Sequence, residues 1–500
     1  MKPSSSCFHS SLESRILPLL LAFILSLSSA FISGCGGSAS TPAATTPLTG
    51  YTSVTVLASS TANDRITSFN LDINGITLTS KSGATATLLA TPLSPEFMHL
   101  NGNVEPIATA SIPQDVYTAA TVTVAGGQFT CITIDQSSGK LQNSGYSDMS
   151  AAVSHVTTTL PQPITVTGTS MGLALNLMVA ASATFPSNCY SPGNTSFSIT
   201  PNFSVTPVTL ASVPTSGANG KTTSLNGQVA SVDASGTLLN VTGPKGPGIN
   251  GPNWPISVDG NTVFQGVSGV SQLTAGMPVE IDAALQMHGP MLATRVSVAD
   301  TDTTKLNIFA GPVELVFTTQ PTFYVSNREQ IGYLSQSTNY PSSGADFTNA
   351  RFGISSVLTN LQSLPFAATF NAANMIPGQN VSFSAHAATY YGGTLPAGSV
   401  TLMPQTVNGT VSGVSTAGGF TVYTVVLAPY DLIPVAAAQV YQVSQLTSPN
   451  VVTIYADANT QKLTTNPIAV GNTARFYGLL FNDNGTLRMD CAQINDGVAP

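Results

Sequence analysis

The sequence predicts an all-β protein: an N-terminal β-sandwich followed by tandem small β-barrels, OB-like or similar. Three observations lead there. Apolar residues alternate with period two over short runs bounded by Gly, Pro, Asn and Ser, and helix signals are scarce. The chain carries 43 glycines and 33 prolines, residues that turns need. Its second half also repeats itself, with one opening pattern, one glycine turn and one closing run in each copy.

Length and composition set the frame. Five hundred residues suffice for several domains with real cores. Only 7% of residues are charged, against about a quarter in ordinary globular proteins, so hydroxyls and amides must cover the surface. The formal net charge is −8, and no basic stripe is present to displace counterions from phosphates. Nucleic-acid partners are therefore disfavoured.

The first 34 residues read as a secretory signal rather than a fold element. Lys2 and Arg15 supply a positive front end, Ile16 to Ile32 is apolar, and small residues precede Cys35. The apolar run is short for a bilayer span and no charged stop-transfer cluster follows it. The run Ile32-Ser33-Gly34-Cys35 resembles the lipobox of bacterial lipoproteins. That resemblance implies that Cys35 becomes the first mature residue and carries lipid, so that the membrane is a partner. Gly36, in place of the aspartate that favours inner-membrane retention, implies a place in the cell envelope at the outer membrane, periplasmic or surface-exposed. Residues 35–50, rich in Gly, Ser, Thr, Ala and Pro, are a flexible tether.

Residues 51–210 are the expected β-sandwich. Tyr51 to Leu57 is a first strand, and Phe69 to Ile73 alternates cleanly. Asn74-Gly75 then predicts a hairpin turn before Ile76-Thr77-Leu78. Ala110 to Thr118, Thr121 to Val124 and the run holding Phe129, Cys131, Ile132 and Ile134 supply further strands. The Phe-Asn-Leu-Asp-Ile-Asn-Gly-Ile strand, the step from Ile112-Pro113 to Tyr117 and the strand from Gly168 to Val179 resemble the DUF4382 family of domains of unknown function. That family occurs near the N-terminus of bacterial surface lipoproteins, and the resemblance implies a sandwich with no known catalytic residues.

Of five cysteines, Cys7 leaves with the signal and Cys35 is the lipid site. An oxidising compartment permits a disulfide between Cys131 and Cys189, which share one expected domain; two buried free thiols are the alternative. Cys491 is expected buried in a final strand.

After a linker at 211–223 come three repeat units, at 224–301, 302–404 and 405–497. The first runs from Leu225-Asn226-Gly227-Gln228-Val229 through Asn261-Thr262 and Leu273 to Val279, and closes from Gly289 to Val296. The third runs from Val407-Asn408-Gly409-Thr410-Val411 through Asn459-Thr460 and Gly471, and closes from Gly485 to Ile494. The degenerate second uses Gly311-Pro312-Val313, Ala368-Thr369-Phe370, Gly378 and Gly393 to Val400, with an insertion at 326–352 expected as an exposed loop. Gly227, Gly311 and Gly409 are expected at equivalent strand positions, as are Gly276, Gly378 and Gly471 at the turn before the fourth strand. The units resemble the DUF5666 family of domains of unknown function, which occurs as tandem copies in secreted bacterial proteins and implies closed small barrels.

Candidate chemistry is sparse. Gly168-Thr169-Ser170-Met171-Gly172 matches the Gly-x-Ser-x-Gly nucleophile elbow, which needs a helix after the serine; here Leu173 to Leu177 alternates as a strand. His99, His155, His288 and His386 lack metal-ligand spacing along the chain, so no metal or cofactor is expected. Asn482-Asp483-Asn484-Gly485 lacks the glutamate of a calcium loop and reads as a hairpin turn. Trp254 lies between prolines, Pro252 and Pro255, and is the only tryptophan. It either stacks on a sugar or, as preferred, plugs the first barrel.

The expectation is a lipid-anchored extracytoplasmic protein of structural, adhesive or ligand-binding role, without catalysis, its modules strung as a rod. A polysaccharide or cell-surface partner fits it. Carbohydrate recognition is the alternative, and a serine hydrolase using Ser170 is the second.

Overall fold

A computed structural model of the protein describes residues 48–61, 66–135, 140–143, 147–149, 154–184, 198–244, 251–317, 319–336, 342–356, 361–428, 431–437, 446–464 and 467–497. Cys35 and Cys189 lie outside these residues, as do the signal and most of the tether.

Residues 51–208 form two facing sheets. The first holds β1 (Tyr51–Ser60), and the second is built on β2 (Ile66–Ser80) and β3 (Thr85–Leu89). The chain continues through β4 (Glu105–Pro113), β5 (Asp115–Asp135), β6 (Lys140–Asn143), β7 (Ser147–Met149), β8 (Ser154–Val166) and β9 (Ser170–Leu177). A short helix α1 (Val179–Ser182), the ribbon of β10 (Ala183–Thr184) and β11 (Ser198–Ile199), and β12 (Phe203–Val208) complete the module. One sheet runs β12-β9-β1-β4; the other runs β3-β2-β5-β6, with β7 and β8 also on β5. Val54, Val56, Leu173 and Leu175 of the first sheet share one core with Phe69, Leu71, Ile73, Val122 and Val124 of the second. Their period-two spacing puts alternate residues inward, so the expected sandwich stands. At the β4–β5 corner the buried Tyr117 hydroxyl donates to the Pro113 carbonyl at 2.8 Å, which explains the Pro-to-Tyr step in the sequence.

The Asn74-Gly75 hairpin is not formed. β2 runs straight through it, paired with β5, and the register slips between Ile73 and Gly75. The extra residue makes a bulge, so Ile73 and Ile76, three apart, both face the core. The chain reverses instead after Ser80, through a turn containing Gly83 at φ +87°.

The second half forms three rings of five strands. The first ring comes from β13 (Lys221–Val232), β14 (Leu238–Thr242), β15 (Asn253–Ser257), β17 (Pro278–Ala284) and β18 (Met291–Ser297), with β16 (Val263–Gln265) added on β18. β13 pairs β14, β14 pairs β15, β15 pairs β18 in parallel, β18 pairs β17, and β17 returns to β13. The second ring follows the same path through β19 (Leu306–Val316), β20 (Thr322–Ser326), β22 (Ser342–Asp346), β25 (Thr394–Leu402) and β24 (Asn380–His386). β21 (Glu329–Gly332) and β23 (Arg351–Ile354) pair with β19 and β25. The third runs through β26 (Gln405–Ala417), β27 (Phe420–Leu427), β28 (Val451–Lys462), β30 (Thr486–Asp496) and β29 (Thr473–Asp483), with a helix α2 (Leu432–Ala437) between β27 and β28. Strand order one-two-three-five-four, with the third and fifth parallel, is OB-type connectivity.

The repeat is exact at the level of hydrogen bonds. In the first ring Val229 N–H donates to Met277 O and Gly276 N–H donates to Val229 O. Val313 with Gln379 and Gly378, and Val411 with Asn472 and Gly471, make the same pair of bonds in the other rings. Gly276, Gly378 and Gly471 sit at φ +92°, +87° and +90°, a region that favours glycine. In the first and third rings a second motif recurs. Thr262 and Thr460 donate to the carbonyls of Ala293 and Cys491, and each accepts the backbone N–H of an aspartate three residues earlier.

Two expectations for the second unit are corrected. Residues 326–352 are not a projecting loop: they supply β21, β22 and the start of β23, and Glu329 to Gly332 are buried. The second strand parallel to β25, the counterpart of β16 on β18, comes from Arg351–Ile354, not from Ala368-Thr369-Phe370. The long irregular stretch lies after β23 and packs on the third ring, where Phe366 stands 5.2 Å from the Tyr455 ring and 5.7 Å from Phe481.

The rod is also corrected. Residues 48–500 form one compact unit. The segment from Ser94 to Val104 of the sandwich touches all three barrels. His99 lies beside Glu329, Val104 accepts from Thr222, and Asn101 accepts from Arg475 at 3.1 Å.

Candidate functional site

The first barrel sits against the outer face of the β12-β9-β1-β4 sheet, where Leu57, Ala174 and Val208 join its core, and a groove of about 350 Å³ runs between them. Thr55, Thr109, Ser170 and Met171 form the sandwich wall, while Pro255, Gln286 and Pro290 are among the barrel residues facing them. The barrel wall comes from the third strand, β15, and from the loop joining the fourth and fifth strands, β17 and β18. In OB barrels the face of strands two and three and the four–five loop are where oligosaccharides and oligonucleotides are held. The lining carries hydroxyls and amides among apolar surface and, among the described residues, has no charged side chain.

Trp254 belongs to the back of this groove but not to its open surface. It is 2% exposed, and its indole N–H donates to the Pro106 carbonyl of the sandwich at 2.7 Å. Gly243 and Gly227 cradle the ring: a Cβ at Gly243 would lie 2.7 Å from it, and one at Gly227 3.3 Å. The exposed, sugar-stacking Trp254 is therefore corrected to a buried one that joins the barrel core to the sandwich, as the plug reading expects. Ser170 opens β9, which continues as strand to Leu177, so the helix that a nucleophile elbow requires is not there. It lines the groove beside Met171.

The other sequence candidates separate. Cys491 is buried in β30 with a free thiol. Cys131 lies on β5; Cys189, the cysteine expected either to pair with it or to stay a free thiol, is outside the described residues. His288 is exposed at the β17–β18 hairpin. Asn484 and Gly485, at φ +50° and +87°, form the tight turn between β29 and β30, as expected of that pair.

One constellation is not visible along the chain. His99 lies with Glu96 and Glu105 from the sandwich and with Glu329 from β21. Its Nδ1 is 3.1 Å from Glu96 Oε2, and its Nε2 is 3.1 Å from Glu105 Oε2 and 4.0 Å from Glu329 Oε1. Glu96 also accepts the backbone N–H groups of Phe69, Met98 and His99. Glu329 Oε2 accepts from Asn226 Nδ2 at 2.8 Å. Burial pushes the Glu329 carboxyl up to about 7, with the His99 charge pulling the other way. Burial would lower His99, but Glu329, Glu105 and Glu96 together hold it well above its ordinary value.

Fold and groove define a modular β protein in which three OB-type barrels pack around a sandwich. Residues 226–297, which span the first barrel from β13 to the end of β18, match a family described as a domain of unknown function, DUF5666. None of the curated proteins matches the chain.

Proposed function

We propose that the chain is a lipid-anchored bacterial envelope protein that binds a neutral carbohydrate in the groove between sandwich and first barrel, and that it does not act as a catalyst. The uncharged, hydroxyl- and amide-bearing groove at the ligand-holding face of an OB barrel carries this reading. Sugars present hydroxyl edges and apolar faces, and both kinds of partner line the groove. The net charge of −8 weighs against the oligonucleotides that other OB barrels take. A strand-borne Ser170 weighs against the hydrolase. The anchor rests on the signal sequence and Cys35, and the DUF4382-like reading of the sandwich is part of the same proposal.

The single tryptophan makes the test direct. Neutral polysaccharides should shift Trp254 emission, and Ser170→Phe, which fills the groove, should weaken binding about tenfold or more. Binding that is unchanged in Ser170→Phe, or no binding across a panel of envelope and plant glycans, would sink the groove. Covalent labelling of Ser170 by an activated phosphonate would sink the claim of no catalysis. For the anchor, Cys35→Ala should abolish incorporation of radiolabelled palmitate, since only the thiol can take the diacylglyceryl group. Palmitate on that variant would reject the lipobox.

A further inference from the structure

We propose that His99, Glu105 and Glu329 form a binding site for one divalent transition-metal ion, zinc being the best fit, which ties the sandwich to the second barrel. One nitrogen and two carboxylate oxygens lie within 4.8 Å of one another. A tetrahedral zinc with ordinary bond lengths holds its donors about 3.3 Å apart, so the site needs only small side-chain shifts. The imidazole is already set as a ligand would be. Its far nitrogen lies against Glu96, the carboxylate that orients and polarises a metal-bound histidine, and Glu96 is itself fixed by three backbone N–H groups.

An independent observation points to a missing occupant. Glu329 is 7% exposed, and its Oε1 is buried without a hydrogen-bond partner, while Oε2 is taken by Asn226. That orphan oxygen is the one aimed at His99 Nε2. A buried carboxylate oxygen left bare is costly, and a cation between it and the imidazole would satisfy it. Charge agrees. Among the described residues, the carboxylates of Glu96, Glu105 and Glu329 face one guanidinium, that of Arg328, which interacts with Glu96 and Glu329. A dication on a neutral imidazole brings the sum to zero. Calcium and magnesium fit less well, since both prefer an all-oxygen shell with more ligands. His99 is 12% exposed, which leaves a way in and a fourth position for water. This inference stands apart from the carbohydrate reading, because the two sites share no residue.

The test uses the full chain, stripped with a chelator, loaded with Zn²⁺ or Co²⁺ and desalted. One ion per chain should remain, and Co²⁺ should show the visible absorption of a four-coordinate site. Glu329→Gln removes one ligand but keeps the side chain's shape, and should weaken Zn²⁺ binding about tenfold or more. His288→Ala, at an exposed hairpin far from the cluster in sequence, should leave it unchanged. If Glu329→Gln does not fold, the unaltered chain decides: Zn²⁺ should raise Tm and EDTA should reverse the rise. No retained ion, retention equal in Glu329→Gln and the unaltered chain, or a Tm indifferent to Zn²⁺ would overturn the proposal and leave the cluster as an ion-pair network.

Discussion

Trp254→Ala should cost about 3–5 kcal/mol of folding stability, the range for emptying a buried aromatic site. The ring is 2% exposed and packed into space that Gly227 and Gly243 leave open. Neither glycine can move in to fill the hole, because each lies on backbone fixed by strand pairing or by the bond from Gly243 N–H to Pro252 O. The truncation also strips the Pro106 carbonyl of its donor, on a different module. Trp254→Phe separates the two effects. It restores most of the apolar bulk but not the N–H, so about 1–2 kcal/mol should remain lost. Urea unfolding followed by circular dichroism would measure both. A Trp254→Ala loss under about 1 kcal/mol would mean that the indole is not the joint between barrel and sandwich.

Gly311→Ala should destabilise the second barrel by about 3 kcal/mol, at the upper end of overpacking costs. A Cβ there would fall 1.8 Å from the Ser326 carbonyl oxygen, a backbone atom that cannot swing aside. The equivalent glycines of the other rings meet the same obstacle more gently, at 2.8 Å from Thr242 O for Gly227 and 2.6 Å from Val426 O for Gly409. The first strand of each ring thus passes so close to the second that a side chain has no room. Gly471 serves as the contrast. Its Cβ would meet nothing, so Gly471→Ala should cost only about 1 kcal/mol of left-handed backbone strain. Thermal melts of the three variants Gly311→Ala, Gly409→Ala and Gly471→Ala should rank in that order. A reversed ranking would show that turn conformation, not close strand approach, is why these positions are glycine.

Those glycines were legible in the sequence because their cause is local and recurs three times. The Gly-x-Val opening and the turn glycine are tied by the same two hydrogen bonds in each ring, so chain spacing reflects geometry directly. Tyr117 was legible for a similar reason, its hydroxyl reaching only four residues back. Asn74-Gly75 misled because the pair suits both a hairpin turn and a bulge; what decided was the partner β5, long enough to hold both halves of β2 in one sheet. The second unit misled because its counterpart of β16 was sought at the spacing of its neighbours. Its chain instead makes β21, β22 and β23 early, and only then does Phe366 reach Tyr455 and Phe481 of the third barrel. The His99 cluster could not be read at all. Glu329 lies more than two hundred residues beyond His99, and no local pattern marks either as a donor.

The Ser94–Val104 segment has a consequence for the order in which the molecule is completed. Synthesis delivers the chain N-terminus first, so the sandwich emerges with the barrel-facing groups of this segment still turned to water, while Phe97, Met98 and Leu100 are held in its core. Thr222 arrives first to cover Val104, Glu329 next to face His99, and Arg475 last to reach Asn101. Each barrel can close its own ring by contacts within the module, yet each then seats on a surface already waiting. The segment works as a register of arrivals, and a chain stopped before residue 329 would leave Glu96, His99 and Glu105 as an open acidic patch. Such a nascent intermediate would be distinguishable from the finished protein by proteolysis around residues 94–104, sensitive before the second barrel emerges and protected after the third.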